Sequence, residues 1–292
     1  MHIPVLTKEV LQYLDPKQNE NFIDCTIGQG GHAALILKRN KPTGKVLGID
    51  LDPNQIENCR SLIKDKRLIL VNDSYINIKE IVNKAKFGPI NGILLDLGYS
   101  SWQMEKSSRG FSFQKDEVLD MRYNTKFSNL TAEEIVNNRP EKEIEKILKE
   151  YGEEKFAKQI ARKITEERKI KRIKSTLQLV EIIKEAIPVK FQRGRIHYAT
   201  KTFQALRIEV NDELNNLAKV LPDIVSVLSS GGRAVIISFH SLEDRIVKNF
   251  LKNEEKKRSI KILTKKPLTV GIDELRKNPR SRSAKLRAFI KI

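Results

Sequence analysis

Cysteine is nearly absent from this 292-residue chain. Two thiols, Cys25 and Cys59, cannot build the bridged framework of a small secreted domain, and their spacing matches no CxxC-type zinc site. The four histidines, His2, His32, His197 and His240, share no ligand spacing either, so no metal is expected. Long apolar runs are missing: nothing approaches the roughly 18 consecutive apolar residues of a membrane span. The start, Met1-His2-Ile3-Pro4-Val5, has neither the charged head nor the apolar run of a signal peptide. These shortages lead us to expect a cytoplasmic protein with no membrane partner. Acidic residues are also short, 37 against 55 Lys and Arg, leaving a net charge of +18.

A surplus of that size favours a polyanionic partner, because each phosphate contact releases condensed counterions. A uniformly lysine-rich surface would give the same total, but the distribution is uneven. Residues 248–292 carry 15 Lys and Arg against 4 Asp and Glu, a concentration that suits a nucleic-acid footprint. Residues 141–185 instead mix 13 basic with 10 acidic side chains, as solvated helix faces do.

What is present is a strand–helix alternation. Residues 21–26, 45–50, 67–71 and 91–97 read as short apolar strands, with helical stretches at 32–39, 53–63 and 78–86 between them. Such spacing implies βαβ units and a parallel sheet. The pattern breaks over 102–129, an irregular polar stretch, and residues 131–187 then read as helices, with Ile144, Ile147, Leu148 and Tyr151 at helical spacing. Sheet signals return after Thr202: a helix near 212–228, a strand at 233–239, a helix at 242–252, and strands at 260–263 and 285–292. The expected architecture is therefore α/β, a Rossmann-like doubly wound sheet with an inserted helical domain. The sheet domain spans 1–103 and 202–292, and the insertion, assigned to substrate recognition, spans 104–201.

The first strand runs into Asp24-Cys25-Thr26-Ile27-Gly28-Gln29-Gly30-Gly31-His32. Glycines here let the backbone turn tightly and approach a ligand, and the next helix offers unpaired N–H groups. Gly28-x-Gly30-x-x-Ala33 also fits a relaxed dinucleotide fingerprint, which keeps a nicotinamide oxidoreductase open. Asp24 favours S-adenosylmethionine, because a carboxylate suits an ammonium and a sulfonium better than a pyrophosphate. Asp50, closing the second strand, sits where an acid binds ribose hydroxyls in either cofactor class, while Asp52 fits the task of capping the next helix. After the third strand, Tyr75 could stack on adenine and Asp73 accept from its amino group, although a turn needs such residues anyway.

The fourth strand ends in Leu95-Asp96-Leu97-Gly98-Tyr99-Ser100-Ser101-Trp102-Gln103. Ligands of doubly wound sheets lie beyond the strands' carboxyl ends, so Asp96 should face the reacting group. Enzymes that methylate exocyclic amines often carry Asp/Asn-Pro-Pro-Tyr/Phe here, a pattern this chain only half matches. Arg109 and Arg122 flank Phe111 and Phe113, a mixture suited to a splayed base and its phosphates. We assign RNA contact to the arginines and packing of the insertion onto the sheet to the rings. His240 and Ser241 follow the strand at 233–239; Ser241 reads as a helix cap and His240 as a neighbour of the target base. Arg280 and Arg282 lie in a basic loop suited to phosphate.

Residues 24–32, 92–103, 109–113, 119–122, 151–154, 202–211, 238–248 and 278–287 together resemble the RsmH (MraW) family of 16S rRNA cytosine N4-methyltransferases, in order and over nearly the full chain. The resemblance implies a class I methyltransferase fold with S-adenosylmethionine as cofactor. It implies methylation of N4 of a cytosine in the decoding region of 16S ribosomal RNA, within the small ribosomal subunit, and it allows a homodimer. Matched position by position, it assigns the cofactor to Gly30, Gly31, His32, Asp50, Tyr75, Asp96 and Gln103, with Tyr75 in place of the usual phenylalanine. Asp96, with Ser100 or Ser101, would accept the N–H groups of the target amine. The family commonly reads His-Pro-Ala-Thr-Arg where this chain has His197-Tyr198-Ala199-Thr200-Lys201. Lys201 cannot make the bidentate fork of arginine, so RNA contact at this loop must differ. An RNA-binding assembly factor that keeps the pocket without turnover, and methylation of a protein, remain as alternatives.

Overall fold

The structure, a computed structural model, describes residues 4–194 and 196–292. The reading made at Met1-His2-Ile3 lies outside the described residues. The chain divides into two compact units, one of Met1–Gly98 with Leu214–Ile292 and the other Tyr99–Glu213.

In the sheet unit the chain runs α1 (Thr7–Leu14), β1 (Phe22–Asp24), α2 (Gly31–Arg39), β2 (Val46–Asp50), α3 (Pro53–Leu62), β3 (Leu68–Asn72), α4 (Ile78–Ala85) and β4 (Gly92–Asp96). The helical unit holds α5 (Ser101–Lys106), α6 (Ala132–Asn138), α7 (Glu141–Gly152), α8 (Ala157–Ile170), α9 (Thr176–Ala186) and α10 (Thr200–Asn211). The chain then returns through α11 (Glu213–Val227), β5 (Arg233–Ser238), α12 (Ser241–Lys256), β6 (Ile260–Ile262), β7 (Leu268–Thr269), α13 (Ile272–Lys277) and β8 (Lys285–Lys291). No helix among the described residues is long and apolar enough to cross a membrane.

The sheet order is β3-β2-β1-β4-β5-β8-β6, with β7 also paired to β8. Strands β1 to β5 are parallel, and β8 runs antiparallel to β5, β6 and β7. Successive strand residues point to opposite faces, and the two cores follow that alternation. Ile23, Leu47, Ile49, Ile93, Leu95 and Ile236 pack with Ile78 of α4, Leu221 of α11 and Val247 of α12. Phe22, Val46, Leu94, Val235 and Ile237 pack with Val10 of α1, Ile36 of α2 and Ile56 of α3. Helices on both faces make this a doubly wound sheet. Its winding reverses between β1 and β4, and such a reversal opens a crevice at the strands' carboxyl ends.

The helical unit has its own core, in which Ile135, Ile144, Leu148, Ile160, Ile164 and Ile183 meet. Helix α10 belongs to it through Phe203, Ala205, Leu206 and Val210. Contacts thus place the unit boundaries at 98/99 and 213/214, where the sequence reading had 103/104 and 201/202. Further elements depart from that reading, helix α10 and strand β7 among them. Helices α1 and α13 were not anticipated, and the stretch expected to be irregular from residue 102 opens inside α5.

Candidate active site

The glycine turn after β1 is held by backbone bonds on both sides. The N–H of Ile27 donates to the carbonyl of Ile49 at 2.9 Å, and the N–H of Gly30 donates back to Ile27 at 2.7 Å. Gly30 caps α2 in the left-handed region, φ 80°, where a side chain is strained. A Cβ there would also lie 2.7 Å from Cys59 Sγ, and one on Gly31 would lie 2.4 Å from the Pro4 ring. Both glycines are therefore required by packing, whatever ligand their backbone meets. Cys59 and Cys25 are buried and their thiols are pushed up, chiefly by burial, Cys59 to about 12.

Two carboxylates stand at the ends of neighbouring strands. Asp24, closing β1, is buried and accepts from the N–H of Thr26 at 3.2 Å. Burial pushes its carboxyl up to about 6, opposed by His32 and the Thr26 N–H and reinforced by Asp96. Asp50, closing β2, accepts from the N–H of Gly28 and from that of Asp52, each at 2.9 Å. It is likewise raised by burial, to about 7, against the pull of those two N–H groups. Asp52 caps α3 by accepting from Asn54 N–H at 3.1 Å, as its sequence position suggested. Beyond β3, Tyr75 opens a 3-10 turn and packs against the sheet core. Asp73, considered as an adenine acceptor, takes bonds from Ser74 N–H and the Asn77 side chain within its own turn.

At the winding reversal, the N–H of Asp96 donates to Thr26 Oγ1 at 2.7 Å. This bond ties the end of β4 to the glycine turn. Thr26 was not singled out in the sequence, where only its place beside the glycines marks it. His32, in the first turn of α2, brings Nε2 to 3.6 Å from Asp96 Oδ2. The imidazole is 6% exposed, and neither ring nitrogen has a hydrogen-bond partner. Asp96 Oδ1 is also buried without one. Leaving buried polar atoms unsatisfied costs about 1–3 kcal/mol each, so their gathering at a crevice marks a place built for a ligand's own donors and acceptors. Asp24 for an ammonium, Asp50 for ribose hydroxyls, and Asp96 with His32 at the reacting end fit the chemistry of S-adenosylmethionine.

Ser100, Ser101 and Gln103 belong to the helical unit. Ser100 caps α5: its Oγ accepts from Gln103 N–H at 3.2 Å while Gln103 Oε1 accepts from Ser100 N–H at 2.8 Å. The Ser101 side chain lies outside the described residues. Arg122 grips Asp120 through Nε and Nη2, at 2.8 and 2.6 Å, and donates to the Ser128 carbonyl at 2.9 Å. Arg109 donates to the carbonyls of Arg122 and Tyr123 and lies over the Phe111 ring. Both guanidiniums thus carry structural bonds that the sequence did not suggest. Phe111 stacks between Tyr99 and Tyr123, at 5.9 and 5.6 Å, and Phe113 stacks on His197, so their ring partners are in the helical unit itself. Lys201 donates from Nζ to the Glu153 carbonyl at the end of α7, 2.7 Å away.

The cap of α12 is His240 rather than Ser241. Its Nδ1 faces the Glu243 N–H at 3.4 Å, and Glu243 Oε2 accepts from Phe239 N–H at 2.8 Å. Imidazole seldom serves as a cap, which is why serine looked the better choice. Arg280 and Arg282 are exposed on a 3-10 turn anchored by buried Ser281, whose hydroxyl bonds Asn278.

A parallel sheet that reverses beside a glycine turn, with an unsatisfied histidine–carboxylate pair at the reversal, defines a class I methyltransferase of the S-adenosylmethionine-dependent type. The MraW methylase family matches residues 1–292, so the chain belongs to that family. It is 46% identical over 307 aligned positions to "Ribosomal RNA small subunit methyltransferase H" of Clostridium botulinum (strain 657 / Type Ba4), covering 100% of this chain and 99% of the relative. The protein of the same name from Sulfurihydrogenibium azorense is 47% identical over 288 positions, covering 98% and 97%. A crystal structure from Clostridium thermocellum, of a protein proposed to be an rRNA methylase, superposes with a TM-score of 0.50 at 14% identity and full coverage of both chains. That likeness is one of fold.

Proposed function

We propose that this chain transfers a methyl group from S-adenosylmethionine to N4 of a cytosine in the decoding region of 16S ribosomal RNA, working on the small ribosomal subunit in the cytoplasm. The observation that carries the reading is the buried, unpartnered Oδ1 of Asp96 at the winding reversal. An exocyclic amine brings N–H donors, and this carboxylate has an acceptor to spare.

The bound cofactor supplies an electrophilic methyl group. The chain's own residues do the rest. Asp24 holds a cation, Asp50 holds hydroxyls, and Tyr75 offers a flat face to a base. The amino nitrogen of cytosine is a weak nucleophile because its lone pair is drawn into the ring. Asp96 accepts its N–H and aims the nitrogen, and positioning of that kind can supply much of a rate. The target base must leave its stack to reach the crevice, and the +18 charge suits the surrounding phosphates. Arg280, Arg282 and His240 are the proposed RNA contacts of the sheet unit, and Arg109, Arg122 and Lys201 those of the helical unit. Ser100, Ser101 and Gln103 are proposed to assist at the site. Binding without turnover is disfavoured by membership of a methylase family.

The test uses small subunits from cells lacking the enzyme, with labelled cofactor. N4-methylcytosine should form with the wild-type protein, and Asp96→Ala should slow its formation by about a thousandfold. Label on another base, or on protein, would overturn the reading.

A further inference from the structure

The helical unit carries a second feature that methyl transfer does not explain. Three rings form a column: Phe113 and His197 stack at 4.7 Å and 13°, and His197 and Tyr198 at 4.2 Å and 28°. The inner end is fixed, because Phe113 meets Phe203 of α10 edge-on at 5.4 Å and packs against the helical core. The other end is partly open, with His197 exposed and Tyr198 half-buried and packed in part against the helical core. Partial burial between the rings holds the imidazole below its usual range, so near neutral pH it stacks as an uncharged ring.

The chain leading to this column is unusual for a soluble surface. Residues 188–201 contain Lys190, Arg193, Arg195 and Lys201 and no acid. Lys190 lies over the Phe191 ring at 5.2 Å, and neither it nor Arg193 pairs with a carboxylate among the described residues. Val189, Phe191 and Ile196 are 72%, 51% and 51% exposed. Apolar groups left in water beside unneutralised cations mark a partner's place, and the mixture selects what that partner is. A protein interface core is depleted in lysine, whereas single-stranded RNA supplies flat bases for rings and phosphates for cations.

We propose that the Phe113–His197–Tyr198 column is a stacking platform for an unpaired base of single-stranded RNA, with Lys190 and Arg193 on the flanking phosphates. It rests on the reading of the substrate as RNA, and it adds a second grip on the strand apart from the methyl-transfer crevice. The base continues the column over the Tyr198 ring, so recognition is by shape and not by base identity.

The full-length protein is titrated with a short single-stranded oligoribonucleotide carrying 2-aminopurine, with fluorescence read in parallel with affinity. Stacking quenches the probe. Tyr198→Ala should lose the quench and weaken binding about tenfold, while Tyr198→Phe keeps both. Arg193→Ala should lower the slope of log affinity against log salt by about one. S-adenosylmethionine affinity is measured on every variant and should stay at wild type, and a cooperative melting transition shows that the Tyr198→Ala protein is folded. Unchanged quench in Tyr198→Ala, equal damage from Phe and Ala, or a response confined to intact subunits with none on the oligoribonucleotide would overturn the proposal, the last pointing to a protein partner. Failure of the methylation assay with the quench intact would remove the enzymatic reading and leave the platform standing. Normal methylation with no effect of Tyr198→Ala on the oligoribonucleotide would do the reverse.

Discussion

The reversal edge of the sheet unit and the core of the helical unit treat buried ionisable groups in opposite ways. In the sheet unit, both nitrogens of His32 and Oδ1 of Asp96 are sealed from water and left without hydrogen bonds. In the helical unit, buried charge is answered at once. Arg207 meets Glu213 through two bonds of 2.8 Å, Tyr123 adds its hydroxyl to the same carboxylate at 2.9 Å, and the guanidinium lies 4.7 Å from the centre of the Tyr99 ring. Arg168, half-buried, spends Nη1 on the carbonyls of Val136 and Arg139. A satisfied network rigidifies, while an unsatisfied one costs stability and makes sense only when a ligand completes it. The sheet edge around His32 and Asp96 is built to receive something, and the Arg207–Glu213 network is built to hold a shape.

The sharpest way to break that contrast is to leave an orphan where there is none. Removing one partner of a buried pair typically costs about 3–5 kcal/mol, so Arg207→Met should lower stability by that order and leave the Glu213 carboxylate buried without its counter-charge. Replacing Glu213 by Leu in the same chain should recover most of the loss. Chemical denaturation of single and double variants measures the coupling. A single variant as stable as wild type would mean that the pair is not structural, and the contrast would fall.

A smaller effect follows from Asp24 and Asp50, raised by burial to about 6 and about 7. Each holds its proton to higher pH in the fold than in the unfolded chain. The ligand-free fold therefore keeps their full contribution below the ordinary carboxyl range and loses it as pH climbs to about 7. Cofactor binding has the opposite sign, because the ionised forms are the better acceptors. Affinity for S-adenosylmethionine should rise between pH 5 and pH 8 by about tenfold or more. Asp50→Asn should flatten the upper part of that rise, weaken binding, and raise the ligand-free melting temperature at pH 8. Calorimetry across pH, with melting curves beside it, checks both halves. An Asp50→Asn protein that binds less well and also melts lower would deny that this site trades stability for function.

The sequence showed the sheet far better than it showed this contrast. Strands such as β4 are short apolar runs closed by an acid, and the run and the acid are both legible. Helix α1 was missed because its cap, Leu6, is left-handed and offers no side-chain oxygen. Helix α10 hides for another reason: Thr202, Phe203 and the run from Ala205 to Ile208 are buried, so no polar stripe reveals its period. Asp50, Asp96 and His32 could be proposed from position alone, but nothing in a sequence shows that His32 lacks partners. The ring stack of Tyr99, Phe111 and Tyr123 is assembled from residues a dozen apart in coil, where no periodicity exists to read. Nothing in the sequence shows that Asp120, only two residues away, turns back to grip Arg122.

His240 allows the finest cut between the two kinds of polarity, because it has a foot in each. Its Nδ1 is spent on the cap of α12, while its Nε2 is buried without a hydrogen bond, 3.3 Å from Glu243 Oε1. Losing a cap costs about 1 kcal/mol, which in a unit of this size is about 2–4 °C. His240→Ala should show that drop. His240→Asn restores a good cap while removing the Nε2 end of the ring, so its melting temperature should return to the wild-type value. If the imidazole also faces the target base, methyl transfer should stay reduced in the Asn variant, with KM for subunits raised more than kcat is lowered. Should the Asn variant recover both stability and transfer, the orphaned nitrogen has no ligand to await, and His240 joins the residues that only hold a shape.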